Sequence, residues 1–414
     1  MSAERVAVVG AGIVGLSTAW FLQEHGAEVT VYDREGVAAG ASWGNAGWVT
    51  PGLAAPLPEP SVLRYGLGAL LRPSSPVYVP PRADPALWRF LAGFARNCTT
   101  RRWRRSAAAL AGLSRRAFEG FDRLAEGGVA APVLDADPLV AAYRTRAEAE
   151  PLLHEAEHLR AAGLPVSAEP IGGDAARAAV PLLTGAVGAA VRVHGQRFVD
   201  PAAFTRALAA SVAGRGGAVL AGAGAAVRDD GGGVLLSTGP GDPERFDAVV
   251  LATGARLGAL ARPFGVRAVV QAGRGYSFSV PVAAGALPAG PVYLPRQRVA
   301  CTPLGGRLRL AGMMEFRRPG DPLDPRRIRS IVDAVRPLLR GVDLDSRRDE
   351  WVGSRPCTTD GLPLAGATRS PRVFVAGGHG MWGVTLGPAT GLLLASYVAT
   401  GERPEALAPF DPLR

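Results

Sequence analysis

The chain has 414 residues, enough to bury a large core in about two domains. Its 48% hydrophobic and 20% charged content is globular and excludes a disordered or fibrous chain. The net charge is +10, yet all 46 basic residues are arginine. That bias, with abundant Ala, Gly and Pro, reads as GC-rich coding, so basicity does not argue for nucleic acid. An acidic substrate or an anionic surface stays open.

Cys98, Cys301 and Cys357 lie far apart and form no CxxC, which fits a reducing compartment and predicts a cytoplasmic protein. No basic stretch and apolar run precede residue 6, and no stretch of eighteen apolar residues without charge is expected. Neither a leader nor a transmembrane helix is therefore predicted.

Residues 1–35 read as strand, helix, strand. The apolar run Val6-Ala7-Val8-Val9 leads into Gly10-Ala11-Gly12-Ile13-Val14-Gly15, and a second run, Val29-Thr30-Val31-Tyr32, ends at Asp33. This order is the dinucleotide fingerprint. Gly10 permits the turn, Gly12 lets backbone approach a pyrophosphate, and Gly15 lets helix and strand pack. The helix start offers N–H groups and partial positive charge to phosphates. Asp33 is expected to accept hydrogen bonds from the adenosine ribose.

A Gly/Pro-rich loop over 36–60 follows, containing Asn45-Ala46-Gly47. Residues 85–126 read as helix, with apolar spacing at Leu87, Phe90, Leu91 and Phe94, then Leu110, Leu113, Phe118 and Phe121. A further helix over 145–163 should end at Gly163 and Pro165. Asp200 and Pro201 open a helix running to about Ala213. Strands are predicted at Ala218–Leu220, at Ala248–Leu251 running into Gly254, through 266–315, and at Arg372–Ala376. Helices are predicted from Pro325 to about Leu339 and from Thr385 to Val398.

The fold class is therefore α/β: a discontinuous Rossmann-like FAD-binding domain with an inserted α+β substrate domain built on a mainly antiparallel sheet. The first comprises 1–52, 196–266 and 352–414, the second 53–195 and 267–351. The choice of FAD rests on Gly378-His379-Gly380-Met381-Trp382-Gly383, a second GxGxxG between strand and helix. About thirty residues remain after it, too few for another nucleotide-binding half. It reads better as a second helix start facing the far end of one long cofactor.

In the order and spacing of several pieces the chain resembles the FAD-dependent D-amino acid oxidase superfamily, particularly the bacterial D-amino acid dehydrogenase branch. The pieces are Gly10–Gly15 with Asp33, Asn45-Ala46-Gly47, Val199-Asp200-Pro201, Ala252-Thr253-Gly254, Arg274-Gly275-Tyr276-Ser277, Leu310-Ala311-Gly312 with Glu315-Phe316, Arg355-Pro356 with Thr359-Asp360-Gly361-Leu362-Pro363, and Gly377-Gly378-His379-Gly380. Two departures, Cys357 within the Arg-Pro segment and Met381-Trp382 after Gly-His-Gly, bear on the substrate.

The resemblance implies oxidation of a D-amino acid, or of a cyclic imino acid such as a hydroxyproline. A hydride passes from substrate Cα to flavin N5, and the electrons go to an acceptor other than O₂. Arg355 becomes the carboxylate clamp, with two parallel charge-assisted hydrogen bonds. Tyr276 either donates its hydroxyl to the same carboxylate or packs in the strand. His379 is placed to stabilise negative charge on the reduced flavin. The expected cofactor contacts are Gly10, Gly12, Ile13, Val14, Gly15, Asp33, Arg34, Ser42, Asn45, Ala46, Gly47, Val227, Ala252, Thr253, Gly254, Gly378, His379, Gly380, Met381, Trp382 and Gly383. Alternatives are a glycine- or sarcosine-type oxidase that uses O₂, and a non-catalytic FAD sensor.

Two patterns compete for attention. His154-Glu155-Ala156-Glu157-His158 matches HExxH, but on a charged helix with only three other histidines, so no metal is expected. Arg101-Arg102-Trp103-Arg104-Arg105 is a basic cluster with an aromatic. No nucleic-acid fold accompanies it, which leaves a solvated helix face or a peripheral site on the inner membrane face, near a quinone acceptor.

Overall fold

A computed structural model describes residues 3–62, 75–81, 83–164, 166–222, 224–239 and 241–414. Its organising element is a six-stranded sheet in the order Ala218–Ala221, Glu28–Asp33, Arg5–Val9, Ala248–Leu251, Val373–Gly377, Leu364–Ala367. The first five strands pair in parallel and the last is antiparallel. Strands such as Val6–Val9 and Ala248–Leu251 are apolar throughout because both faces are covered, as parallel sheets require. The helices Ile13–Glu24, Ala117–Glu126, Pro201–Gly214 and Gly383–Thr400 pack together over one face. Glycine lets them approach: a Cβ on Gly391 would lie 2.7 Å from the Thr18 amide, and one on Gly120 would lie 2.7 Å from that of Ala389.

Gly383–Thr400 corrects one expectation. It spans 18 residues without a charge, long and apolar enough by composition to cross a membrane. Most of it is buried within the protein, so its apolarity is that of a core helix.

The second large sheet is mainly antiparallel. It runs Arg348–Thr358, Val270–Pro281, Arg307–Phe316, Val299–Leu304, Val292–Leu294, Leu139–Tyr143, Ala189–His194, Ser167–Gly172, with Val77–Tyr78 beside Arg307–Phe316. One face is packed by the helix Pro325–Val335 around Tyr276, Phe278, Leu308 and Leu310. The strand Arg348–Thr358 crosses the boundary drawn at 352 and carries the large sheet into the nucleotide-binding part.

The long helical stretch over 85–126 is three helices: Pro85–Asn97, Thr100–Ser114 and Ala117–Glu126. Asp84 opens the first by accepting from the Ala86 and Leu87 amides, and Thr99 restarts the second by accepting from that of Arg102, a break that apolar spacing alone would run through. Asp200 caps Pro201–Gly214 in the same way. The helix Arg146–Ala161 is capped by Thr145 and followed by Gly163 at φ +87°; Pro165 lies outside the described residues.

Candidate active site

The glycine turn is built by contact. Gly10 has φ +121°, and a Cβ there would sit 2.4 Å from the Ala252 carbonyl oxygen. A Cβ on Gly15 would sit 1.9 Å from the Gly10 carbonyl oxygen, so the turn, the helix and the neighbouring strand end admit only glycine. The helix carries no acid in its first turn, leaving its positive end uncompensated. Ser42 reaches back to accept from the Ile13 amide at 3.1 Å.

Asp33 is more occupied than a ribose acceptor needs to be. One carboxylate oxygen accepts from Ala11 at 2.8 Å; the other accepts from Glu35 at 2.8 Å and Gly36 at 2.9 Å. The side chain therefore ties the glycine turn to the following loop, and one acceptor direction remains for a ligand.

A cavity of about 1180 Å³ runs from this turn to the large sheet. It is larger than a typical small-molecule pocket of roughly 300–1,000 Å³ and has room for a dinucleotide with a second molecule. Gly10, Gly12, Ile13, Val14, Asp33, Arg34, Ser42, Asn45, Ala252, Thr253, Gly254, His379, Gly380 and Gly383 line it together. Gly15, Ala46, Gly47, Val227, Gly378, Met381 and Trp382 do not. Gly47 is needed behind the wall: at φ +78° a Cβ would meet the Val199 carbonyl oxygen at 2.1 Å. Trp382 donates its indole N–H to Ala55, and Met381 is exposed.

Thr253 Oγ1 and His379 Nδ1 are buried in the wall without a hydrogen-bond partner among the described residues. A glycine cradle, an open helix start and unfilled polar atoms in one elongated cavity fit a dinucleotide such as FAD. The hydroxyl of Thr390 donates to the Leu386 carbonyl, so at 2.9 Å it accepts from His379 Nε2–H. Nδ1 is then a bare acceptor. Burial holds the imidazole pKa down at about 4, so the ring is neutral. His379 thus enters the cavity wall as a neutral ring beside the helix start.

Arg355 reaches the cavity from the strand Arg348–Thr358. Its Nη1 donates to the Met313 carbonyl at 2.6 Å, and no acid pairs with it among the described residues. Desolvation pulls its pKa below the ordinary arginine value. The room it occupies is that of an absent side chain: a Cβ on Gly275 would fall 2.2 Å from its Cζ. The Met313 carbonyl is aimed by a bulge. Tyr276 pairs with Gly312 and Arg274 with Glu315, so Met313 and Met314 stand opposite Gly275, with Met313 at φ +66°. Sequence reading missed Gly275 and Met313, because a glycine in a strand and a methionine pair carry no sign of either function.

Tyr276 is a correction. It lies on the opposite face of the strand from Gly275, fully buried, and its hydroxyl donates to Glu315 at 2.6 Å. Strand alternation sends it away from the cavity, so it holds no substrate. Arg274, its neighbour on that face, is 1% exposed, donates to the Pro322 carbonyl at 3.0 Å and stands directly across from Glu315. Glu315 also meets Arg317 at 2.8 Å.

The two competing patterns resolve structurally. His154 and His158 are exposed, whereas burial raises the pKa of Glu155 to about 7. Arg101, Arg102, Arg104 and Arg105 are exposed, but Trp103 is buried and donates to Pro56 at 3.2 Å.

Residues 5–397 match the family described as FAD dependent oxidoreductase. The D-amino acid dehydrogenase of Methylobacterium sp. (strain 4-46) is 34% identical over 411 residues, covering 97% of this chain and 96% of that protein. That of Methylobacterium radiotolerans is 32% identical, covering 97% of each. Glycine oxidase from Geobacillus kaustophilus superposes with a TM-score of 0.73 over 99% of both chains at 23% identity, a likeness of fold. A match over nearly the whole chain, on a scaffold whose glycine turns open into one long cavity, makes this protein a member of the FAD-dependent oxidoreductase family.

Proposed function

We propose that this enzyme oxidises the Cα–N bond of a free D-amino acid or a cyclic imino acid, and that its electrons leave to an acceptor other than O₂. The observation that carries the reading is Arg355, a desolvated guanidinium in the cavity wall with a carbonyl and no carboxylate beside it. A partly desolvated charge without a counter-charge gains when a ligand supplies the partner, and a guanidinium matches a carboxylate bidentately. FAD held at the glycine turn supplies the two-electron acceptor. The protein supplies orientation: Arg355 fixes the carboxylate and the Met313 carbonyl fixes Arg355. The neutral ring of His379 presents an acceptor and no charge.

The names of the Methylobacterium relatives support the D-amino acid reading over the glycine-type oxidase reading. For the acceptor, we propose a quinone reached from a membrane surface, with Arg101, Arg102, Arg104 and Arg105 as the anionic-lipid contact. The first test is a panel of D- and L-amino acids scored anaerobically by flavin bleaching, then aerobically with O₂ or a dye as acceptor. Bleaching by D-amino acids with turnover only on the dye is the expected result. Turnover on O₂ at the same rate would favour the oxidase, and no bleaching by any amino acid would leave a flavin-binding sensor. Co-sedimentation with anionic but not neutral vesicles tests the surface.

A further inference from the structure

We propose that the preferred substrate carries a second carboxylate, and that Arg89 at the cavity mouth receives it. This deepens the function proposed above and rests on the reading of Arg355 as the α-carboxylate clamp.

Arg89 lies on the helix Pro85–Asn97, whose Leu87, Phe90 and Phe94 are buried against Met314, Phe316 and Cys357. Ala86, Arg89 and Gly93 follow the adjacent stripe. Both ends of that stripe are fixed against the segments that carry the clamp. At one end a Cβ on Gly93 would lie 2.9 Å from Thr359 Cγ2, and Asn97 donates to the Thr359 carbonyl at 3.0 Å. At the other, Asp84 meets Arg318 at 3.7 Å, next to Pro319, whose carbonyl accepts from Ser354 at 3.4 Å. Between these points Ala86 and Arg89 line the same cavity as Val352, Ser354, Arg355 and Pro319.

The charges at the two ends of the cavity differ. At the dinucleotide end, Arg34 and Arg256 both pair with Glu35, and Asp33 is bound by amides. At the sheet end the guanidiniums of Arg89 and Arg355 line the wall and no acid does, among the described residues; Arg262, on the short turn Arg262–Phe264, lines the cavity too and pairs with no acid among them. Arg89 is exposed at the mouth and makes no hydrogen bond or ion pair among the described residues. A neutral side chain would leave it idle and the potential positive. A second carboxylate would complete it with a charge-assisted hydrogen bond, while Ala86, Val352 and Pro319 cover the methylene stem. The substrate class is an α-amino or imino dicarboxylic acid.

The holoenzyme is reduced anaerobically in stopped flow with D- and L-glutamate and aspartate, and with glutamine, asparagine and norvaline as uncharged isosteres. The parent should favour the acid over its amide by at least about tenfold in kcat/KM, the factor one charge-assisted hydrogen bond provides. Arg89→Leu should erase that ratio, and Arg89→Glu should invert it towards ornithine. As an equilibrium readout, succinate should perturb the flavin spectrum at lower concentration than butyrate in the parent, and at similar concentration in Arg89→Leu. A parent that prefers the amides, or an Arg89→Leu loss equal for acids and amides, overturns the proposal. The second outcome would mean that Arg89 steers any anion and reads no side chain. If no amino acid bleaches the flavin and neither butyrate nor succinate shifts it, the Arg355 reading falls first and takes this proposal with it.

Discussion

The strands Val270–Pro281 and Arg348–Thr358 present arginine on both of their faces, to opposite effect. On the face towards the helix Pro325–Val335, Arg274, Arg317 and Arg327 are gathered with Glu315, Asp324 and Tyr276, so buried positive charge meets buried negative charge. On the cavity face, Arg355 has a carbonyl and, among the described residues, no acid. The same residue type thus does two jobs, told apart by what stands beside it. Where the protein supplies the counter-charge, arginine holds the sheet to its covering loop and helix. Where it withholds the counter-charge, the site is incomplete until a ligand arrives.

Breaking the far face should cost the most. Glu315→Gln removes the charge that Tyr276 and Arg317 meet, and should destabilise the enzyme by about 3–5 kcal/mol in denaturant unfolding. A neutral result would mean that these arginines are no charge cluster at all.

Arg355→Met should do the reverse. It removes an unpaired, partly buried charge, so the melting temperature should hold or rise, while kcat/KM for an amino acid falls by about 2–4 kcal/mol. Arg355→Lys keeps the charge without the planar fork and should fall between. The matching amine, without a carboxylate, should barely distinguish parent from variant; equal losses for both substrates would make Arg355 structural. Gly275→Ala tests the same clamp without touching it. The new methyl displaces a flexible guanidinium tip, so the fold should persist while kcat/KM drops by roughly 10- to 100-fold, as small misplacements do.

Tyr276→Phe leaves Glu315 short of one donor and should cost about 1–3 kcal/mol of stability, with amino acid binding unchanged. A raised KM instead would return Tyr276 to the cavity. The last effect, confined to acid pH and absent at neutrality, concerns His379, whose folded pKa of about 4 lies below its ordinary value of 6.5. Between those values the unfolded chain binds the proton and the folded chain does not. Stability from this group is therefore full above pH 6.5 and declines as pH falls towards 4. His379→Asn should flatten that part of a melting-temperature profile; an unchanged slope would place the ring in water.

The nucleotide-binding half was readable because its constraints are local. Gly10, Gly12, Gly15 and Asp33 each answer to a neighbour within a few residues or to the next strand, and their spacing records it. The helix ends were readable where a cap residue was weighed, as at Asp200, and were missed at Thr99, where apolar spacing ran through the break. The substrate half was harder because its logic is in faces. Tyr276 and Gly275 are adjacent in sequence and opposite in space, and a resemblance that named both gave no means to say which looked inward. Arg89 looks like any other surface arginine until the cavity is seen.

The left-handed Met313 has a consequence for how this sheet can change. Gly312 and Met313 share one face, so Met313 is surplus to the alternation: Leu308 and Leu310 before it and Met314 and Glu315 after it already keep their sides. Excising that one residue would close the ladder into even pairing, with every other side chain facing as before. What would vanish is the carbonyl on which the guanidinium of Arg355 rests. The sheet could thus lose its grip on a ligand, or acquire one, by a single-codon deletion or insertion that leaves the core untouched.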